Sequence, residues 1–171
     1  MRRCVLVTAL LIWAAALPSP VAAQQSAVDS AVAATAHAAR RTAYERAQRL
    51  VNDGNGAEGR ALLDSLLEAT EPRSDAEAEV LLRRATLAES WDAAQRDYLR
   101  VMLEHERSSY AAQAMLRLAQ GEATRGDRDA ALRYLERLSA ETPDSPLRPE
   151  ATLWQGRILL DRGARGAAHG I

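Results

Sequence analysis

The C-terminal half of the sequence repeats itself with a period of 37 residues. When the sequence is shifted by that interval, Ser108 falls on Ser145 and Gly126 falls on Gly163 without a gap. Serine and glycine coincide where helices are expected to begin and end, which chance matches in an alanine-rich chain do not explain. A repeat of this length is typical of supersecondary units that bury their apolar faces by stacking on one another. The period therefore constrains the fold more than any other feature.

Each repeat is expected to contain two helices joined by a tight turn. In the clearest unit the first helix runs from about Ser109 to Arg125 and the second from about Arg128 to Glu141. Ser108 can cap the first helix, and Gly126 can end it in the left-handed conformation. Asp127 can then cap the second helix, so the unit is predicted to be a helical hairpin.

Small residues recur where the paired helices should touch. Ala119, Ala131 and Gly156 lack bulk and allow close approach, whereas Leu118 and Leu135 fill the space between hairpins. The alternative is that alanine is simply abundant in this chain. The predicted packing set is Ala94, Tyr98, Leu118, Ala119, Gly126, Ala131, Leu135, Leu138, Pro143, Gly156 and Gly163.

Upstream, the repeat weakens but helices are still predicted. Residues 57–69 and 74–87 read as helices, the latter opened by a Ser74/Glu77 capping box, and another helix starts at Ser90. The turn after residue 87 is expected to be about three residues tighter than its counterpart in the next unit. Residues 27–51 could form one alanine-rich helix whose first half has little to bury. Aromatic residues make up only 4% of the chain, and Phe is absent, which argues against a sheet and predicts an all-α fold.

The unit resembles a tetratricopeptide repeat. Met115-x-x-Leu118-Ala119, then Gly126, Ala131-x-x-x-Leu135 and Pro143, is similar to the pattern Trp-x-x-Leu-Gly-x-x-Tyr, Ala-x-x-x-Phe, Pro. Met115, Glu122 and Leu135 replace Trp, Tyr and Phe. The resemblance implies an α-solenoid of antiparallel helical hairpins with about three and a half repeats. It covers residues 74–168 well and residues 42–72 weakly.

The N-terminus has the layout of a secretory signal. Basic residues at positions 2 and 3 precede an apolar run over residues 4–17, and small residues follow up to an expected cleavage after Ala23. The apolar run is shorter than the ~20 residues that span a membrane, although an uncleaved anchor is the alternative. Cys4 lies far from the cleavage site, so a lipoprotein is not predicted. The predicted regions are residues 1–23 (signal), 24–41 (alanine-rich lead segment) and 42–171 (repeat domain).

With this signal, the stretch from Pro143 to Gly156 is similar to envelope repeats of Gram-negative bacteria. These include a Tol–Pal-associated periplasmic repeat protein and the repeat domain of an outer-membrane assembly lipoprotein. The resemblance implies a non-catalytic scaffold or adaptor in the periplasm, acting in envelope assembly or maintenance such as outer-membrane biogenesis. Its partner would be another envelope protein or an extended peptide. The alternatives are the interaction segment of a longer peptidoglycan-binding or peptidoglycan-processing protein, and an enzyme without a recognisable motif.

The resemblance also implies a partner-binding groove lined by the first helix of each hairpin. Arg and Trp are frequent anchors at protein interfaces. For Trp154 the alternative is ordinary core packing, and for Arg117 and Arg157 it is a solvated side chain. The predicted groove residues are Gln113, Arg117, Gln120, Glu150, Trp154 and Arg157.

No residue pattern points to catalysis, a metal or a cofactor. His37, His105 and His169 are far apart in sequence, and Cys4 leaves with the signal. The charged stretches Arg96–Asp97 and Glu104–Arg107 are interpreted as solvated helix faces. The formal net charge of −1 excludes a generally basic nucleic-acid binder. No transmembrane segment is expected after signal cleavage.

The last unit is predicted to be incomplete. Residues 163–168 align with residues 126–131, the start of a second helix, and the sequence ends within the next turn. We expect the chain to be a truncated or frame-shifted piece of a longer protein. The alternative is a natural half-repeat that docks on another surface.

Overall fold

The computed structural model describes the backbone of residues 20–169 and the side-chain environments of residues 24–25 and 27–163. These residues form helices and short connections with no strand among them, which confirms the all-α class. The helices are α1 (Pro20–Asn52), α2 (Gly56–Glu68), α3 (Asp75–Thr86), α4 (Trp91–Glu104), α5 (Ser109–Arg125), α6 (Arg128–Glu141) and α7 (Arg148–His169). None of the described helices combines the length and apolar character that a bilayer crossing requires.

Side-chain caps set most helix starts. Ser74, Ser90 and Ser108 each accept a backbone N–H from the first turn of α3, α4 and α5, and Asp127 does the same for α6. Gly126 ends α5 with φ of 92°, the left-handed conformation that favours glycine. The predicted bounds of α5 and α6 are confirmed.

The chain divides at Ala36–His37 into two compact units. In the described part of the first unit, the side chains from Ala27 to Ala36 are exposed, including Val28 and Val32. This part of α1 therefore buries little apolar surface, as the sequence predicts.

In the second unit, consecutive helices from α2 to α7 pack on one another. Short connections between packed neighbours make them antiparallel. Alternate helices are also in contact: α3 packs on α5, and α5 packs on α7. The main core lies between α3 and α7, and a smaller cluster of Ala47, Leu63 and Leu87 joins the C-terminal part of α1 to α2 and the end of α3.

The connection after α3 contradicts the predicted shortening. It spans residues 87–90, whereas its counterpart after α5 spans only residues 126–127. The α3–α4 unit is shorter because its first helix is shorter: α3 has 12 residues, whereas α5 has 17. Ser90 ends this connection and caps α4 by accepting the N–H of Ala93.

Gly163 also differs from its predicted role. Helix α7 continues through Gly163 to His169, so no turn separates two helices there. Asp127, which follows Gly126, accepts the N–H of Ala130 and starts a new helix. Ala164, which follows Gly163, has no side-chain oxygen that could cap a new helix. The Ala and Arg residues beyond it favour continued helix.

The predicted signal lies mostly outside the described residues. Residues 1–19 are not described, and α1 begins at Pro20, a position that proline tolerates because its missing N–H would be unpaired there. The helix continues through Ala23, the expected cleavage point. Cleavage and export therefore stay predictions.

Candidate interaction surface on α5 and α7

Two equivalent stripes of side chains lie on α5 and α7. Gln113, Arg117 and Gln120 follow one another at four and three residues along α5, so they share one side of that helix. Glu150, Trp154 and Arg157 occupy the same positions 37 residues later on α7. These are the six residues for which the sequence predicts partner binding.

Hydrogen bonds join the two stripes. Arg117 donates through a guanidinium nitrogen to Oε1 of Gln120 at 3.1 Å. Gln120 donates through Nε2 to Oε1 of Glu150 at 3.0 Å. The stripes are therefore adjacent, and the Arg117–Gln120–Glu150 chain crosses from α5 to α7 at the surface.

Trp154 and Arg157 form a second group on α7. The guanidinium carbon of Arg157 lies 5.3 Å from the centre of the Trp154 ring, within cation–π range. Trp154 is half-buried and packs against the main core, while the rest of its indole faces solvent. It is thus both a core residue and an accessible aromatic, which combines the two alternatives that the sequence leaves open.

The stripes carry charge that the described residues do not neutralise. Arg117 and Arg157 are both exposed, and neither forms an ion pair with any described acidic side chain. A guanidinium offers paired N–H donors that match a carboxylate. The surface can therefore receive acidic groups of a partner as well as its apolar side chains.

A cavity of about 580 Å³ adjoins the end of the α5 stripe. It lies between the connections before α5 and before α7, and Gln113 is the only predicted groove residue that lines it. Ser108, Ser109 and Thr142 give it hydroxyl groups, and Leu147 gives it an apolar wall. The cavity extends the surface toward the N-terminal ends of these helices.

Buried carboxylates are a feature that sequence reasoning misses. Asp97, interpreted as part of a solvated face, is buried and accepts hydrogen bonds from Nε and a terminal nitrogen of Arg84. The hydrogen bond to Asp97 raises the pKa of Arg84 above its usual value. Glu122 is likewise buried and accepts from Gln95 at 2.8 Å. The signal for Asp97 is its spacing, since it shares a helical face with Ala94 and Val101.

His105 also corrects the interpretation of its segment as a solvated face. It caps the C-terminus of α4 and is buried, with Nε2 3.4 Å from Oε2 of Glu77. Glu77 in turn receives hydrogen bonds from Arg100 and from the backbone N–H of Arg73. The hydrogen bonds to Glu77 tie α3 to α4 and to the preceding loop. No group of three or more potential metal ligands occurs among the described residues.

The predicted packing residues divide into two sets. Ala94, Tyr98, Leu118, Ala119, Ala131, Leu135 and Leu138 are all buried. Gly126 and Pro143 lie in exposed connections, and Gly156 and Gly163 are exposed on α7. At Gly156 an added Cβ would meet nothing within 4 Å, so the predicted close approach is absent from the described residues.

The close approaches occur at two other glycines. A Cβ on Gly121 would overlap the indole of Trp91, which lies on the α5 backbone. A Cβ on Gly59 would lie 2.6 Å from the carbonyl oxygen of Ala47, where α2 meets α1. The sequence does not show which helix either glycine faces, because both contacts depend on the tertiary arrangement.

Comparison with known proteins assigns no family to the chain. No protein-family model, curated protein or solved structure matches it. Its function must therefore be inferred from its own side chains.

Proposed function

We propose that the chain is a non-catalytic interaction module, built as a tetratricopeptide-like solenoid and exported to the periplasm as an envelope scaffold or adaptor. The observation that carries the proposal is the pair of equivalent stripes on α5 and α7, joined by the Gln120–Glu150 hydrogen bond. The packing of α3 on α5 and α5 on α7 supports a solenoid, in which alternate helices line one surface. The N-terminal signal pattern supports export.

Binding would use an aromatic anchor, Trp154, together with two exposed cations, Arg117 and Arg157. Trp154 offers an accessible indole held in place by the core, so little side-chain entropy is lost when a partner covers it. Arg117 and Arg157 add charge-assisted hydrogen bonds to carboxylates. This combination suits an extended peptide or a partner surface that carries both apolar and acidic side chains.

Crosslinking in the periplasm tests the proposed surface. A photo-crosslinking residue in place of Gln113 is suitable, because the chain contains no lysine for amine-reactive reagents. We expect Trp154→Ala to weaken binding of the captured partner by about 2 kcal/mol or more, as interface anchors do. Arg117→Ala and Arg157→Ala should weaken it less, and Arg133→Ala on the exposed side of α6 is the matched control.

The surface is wrongly assigned if all three stripe variants bind the captured partner as tightly as the control does. Export is tested separately by cell fractionation and the mass of the mature chain. A mature N-terminus at Gln24 in the periplasmic fraction is expected, and an uncleaved cytoplasmic chain would contradict it.

A further inference from the structure

Helix α7 carries an apolar strip on a side that no described residue covers. Leu153 and Leu160 are 65% and 75% exposed, and they line an open depression of about 590 Å³ together with Pro149, Thr152 and Gly156. Pro149, Leu153, Gly156 and Leu160 follow one another at four, three and four residues along α7 and therefore form one continuous face, with Thr152 at its border. We refer to it as the Leu153–Leu160 face.

The same face exists on α5 and is covered there. Leu116, 37 residues before Leu153, is only 5% exposed, and Ala119, the counterpart of Gly156, is 1% exposed. Helices α6 and α7 both pack on α5. The face on α5 and the Leu153–Leu160 face have equivalent positions in the repeat. The first is buried, and the second is exposed.

Helix α6, which packs on α5, shows one kind of helix that packs on this element of the repeat. It contributes Ala131, Leu135 and Leu138 to the core, all with 0% exposure. A small residue followed by leucines four and seven positions later forms a narrow apolar stripe with a site of close approach at one end. We propose that the Leu153–Leu160 face binds an amphipathic helix of this type, supplied by a partner protein and packed as the next helix of the stack.

Two details of the face favour a helix. Gly156 lies between the leucines with open space above it, so the backbone of an incoming helix can approach as closely as Ala119 allows on α5. Arg157 and Asp161 line the same depression and carry one charge of each sign. An amphipathic helix with mixed charges complements that pair, whereas a uniformly anionic lipid surface would meet the repulsion of Asp161.

This surface is distinct from the stripe that contains Trp154. Neighbouring positions on a helix point about 100° apart, which separates Leu153 from Trp154. Arg157 borders both surfaces, so weaker binding by Arg157→Ala alone does not tell which surface the partner uses. Substitutions at Leu153 and Leu160 test the helix-binding face and leave the aromatic stripe intact.

A peptide copied from the chain itself is the direct probe. The peptide spans residues 126–142, which comprise α6 with its caps, and is fluorescently labelled and titrated with the full chain. We expect saturable binding that the double variant Leu153→Glu/Leu160→Glu weakens at least about tenfold. Leu103→Glu is the matched control, since Leu103 on α4 is 62% exposed, and it should leave the affinity unchanged. A peptide carrying Leu135→Glu and Leu138→Glu should not bind.

Several outcomes would overturn the proposal. These are the absence of binding up to the solubility limit of the peptide, and binding that the double variant does not weaken. Concentration-dependent self-association lost in the double variant would make a second copy the occupant, and binding to anionic vesicles lost in the same way would make it a lipid surface. The milder Leu160→Ser provides a second variant if the double variant unfolds, and it should weaken peptide binding in the same direction.

Discussion

Gly121 is a residue at which a single added methyl group should have a large effect. The indole of Trp91 occupies the space that a Cβ would need. We expect Gly121→Ala to lower the free energy of unfolding by about 1–3 kcal/mol because Trp91 must move, even though alanine is the better helix former. Chemical denaturation measures the change.

Gly156→Ala is the control for that substitution. It places the same methyl group in the interior of a helix but into open space. We expect it to raise the free energy of unfolding by about 0.5–1 kcal/mol. If the two substitutions change stability in the same direction, the contact between Trp91 and the α5 backbone is not as described.

At the scale of helices, Arg84 links three elements. It extends from α3 to Asp97 on α4, with an Nε–Oδ2 distance of 2.7 Å, and to Asp64 on α2, with a nitrogen–oxygen distance of 3.0 Å. The Asp97 side chain is 9% exposed and the Asp64 side chain 56%. The two carboxylates therefore contact the same guanidinium in very different surroundings.

Removing the buried carboxylate should be far more destabilising than removing the exposed one. We expect Asp97→Asn to lower the free energy of unfolding by about 2–4 kcal/mol, because the partly buried Arg84 guanidinium loses its buried carboxylate partner and keeps only the exposed Asp64. Asp64→Asn should lower it by less than about 1 kcal/mol. Equal losses in urea denaturation would contradict the difference in burial.

Helix boundaries are the part of the fold that the sequence predicts well. Ser74, Ser108 and Gly126 act through hydrogen bonds or backbone angles within a few residues, so local sequence is sufficient to place them. Gly163 shows the limit of that reasoning. A glycine matched by the repeat did not end a helix, because the capping residue that follows Gly126 has no counterpart after Gly163.

At the scale of the whole molecule, the burial of three tyrosines makes the free energy of unfolding depend on pH in the alkaline range. Burial is the largest cause that raises the pKa of Tyr98, Tyr110 and Tyr134 above the usual 10.0. Each group is harder to ionise in the folded chain than in the unfolded one. The contribution of each tyrosine to the free energy of unfolding is complete below about pH 10 and is lost as the pH rises through the folded-state pKa.

Tyr98→Phe tests this dependence. Tyr98 is the most buried of the three, and its hydroxyl lies 3.4 Å from that of Thr86, so the substitution should change stability near neutral pH by no more than about 1 kcal/mol. Above pH 10 the variant should lose stability less steeply than the parent chain. Parallel curves of unfolding free energy against pH would exclude Tyr98 as a contributor.

The candidate surface was predictable only in part. The 37-residue period places Gln113, Arg117 and Gln120 in register with Glu150, Trp154 and Arg157, which requires nothing beyond the sequence. The hydrogen bond between Gln120 and Glu150 and the half-burial of Trp154 depend on how α7 lies against α5. Likewise, the buried state of Asp97 depends on Arg84, a residue of a different helix.

The central position of α5 among the helices predicts the order in which they unfold locally. Helices α3, α4, α6 and α7 all contact α5, whereas α7 contacts only α5 and α6 among the described helices. Amide hydrogens of α7 should therefore exchange with solvent soonest among α3–α7 and those of α5 last, because fewer neighbours resist fraying at the end. A ligand bound to α7 would stabilise the helix that opens most readily. Amide exchange should then also become slower in helices that the ligand does not contact.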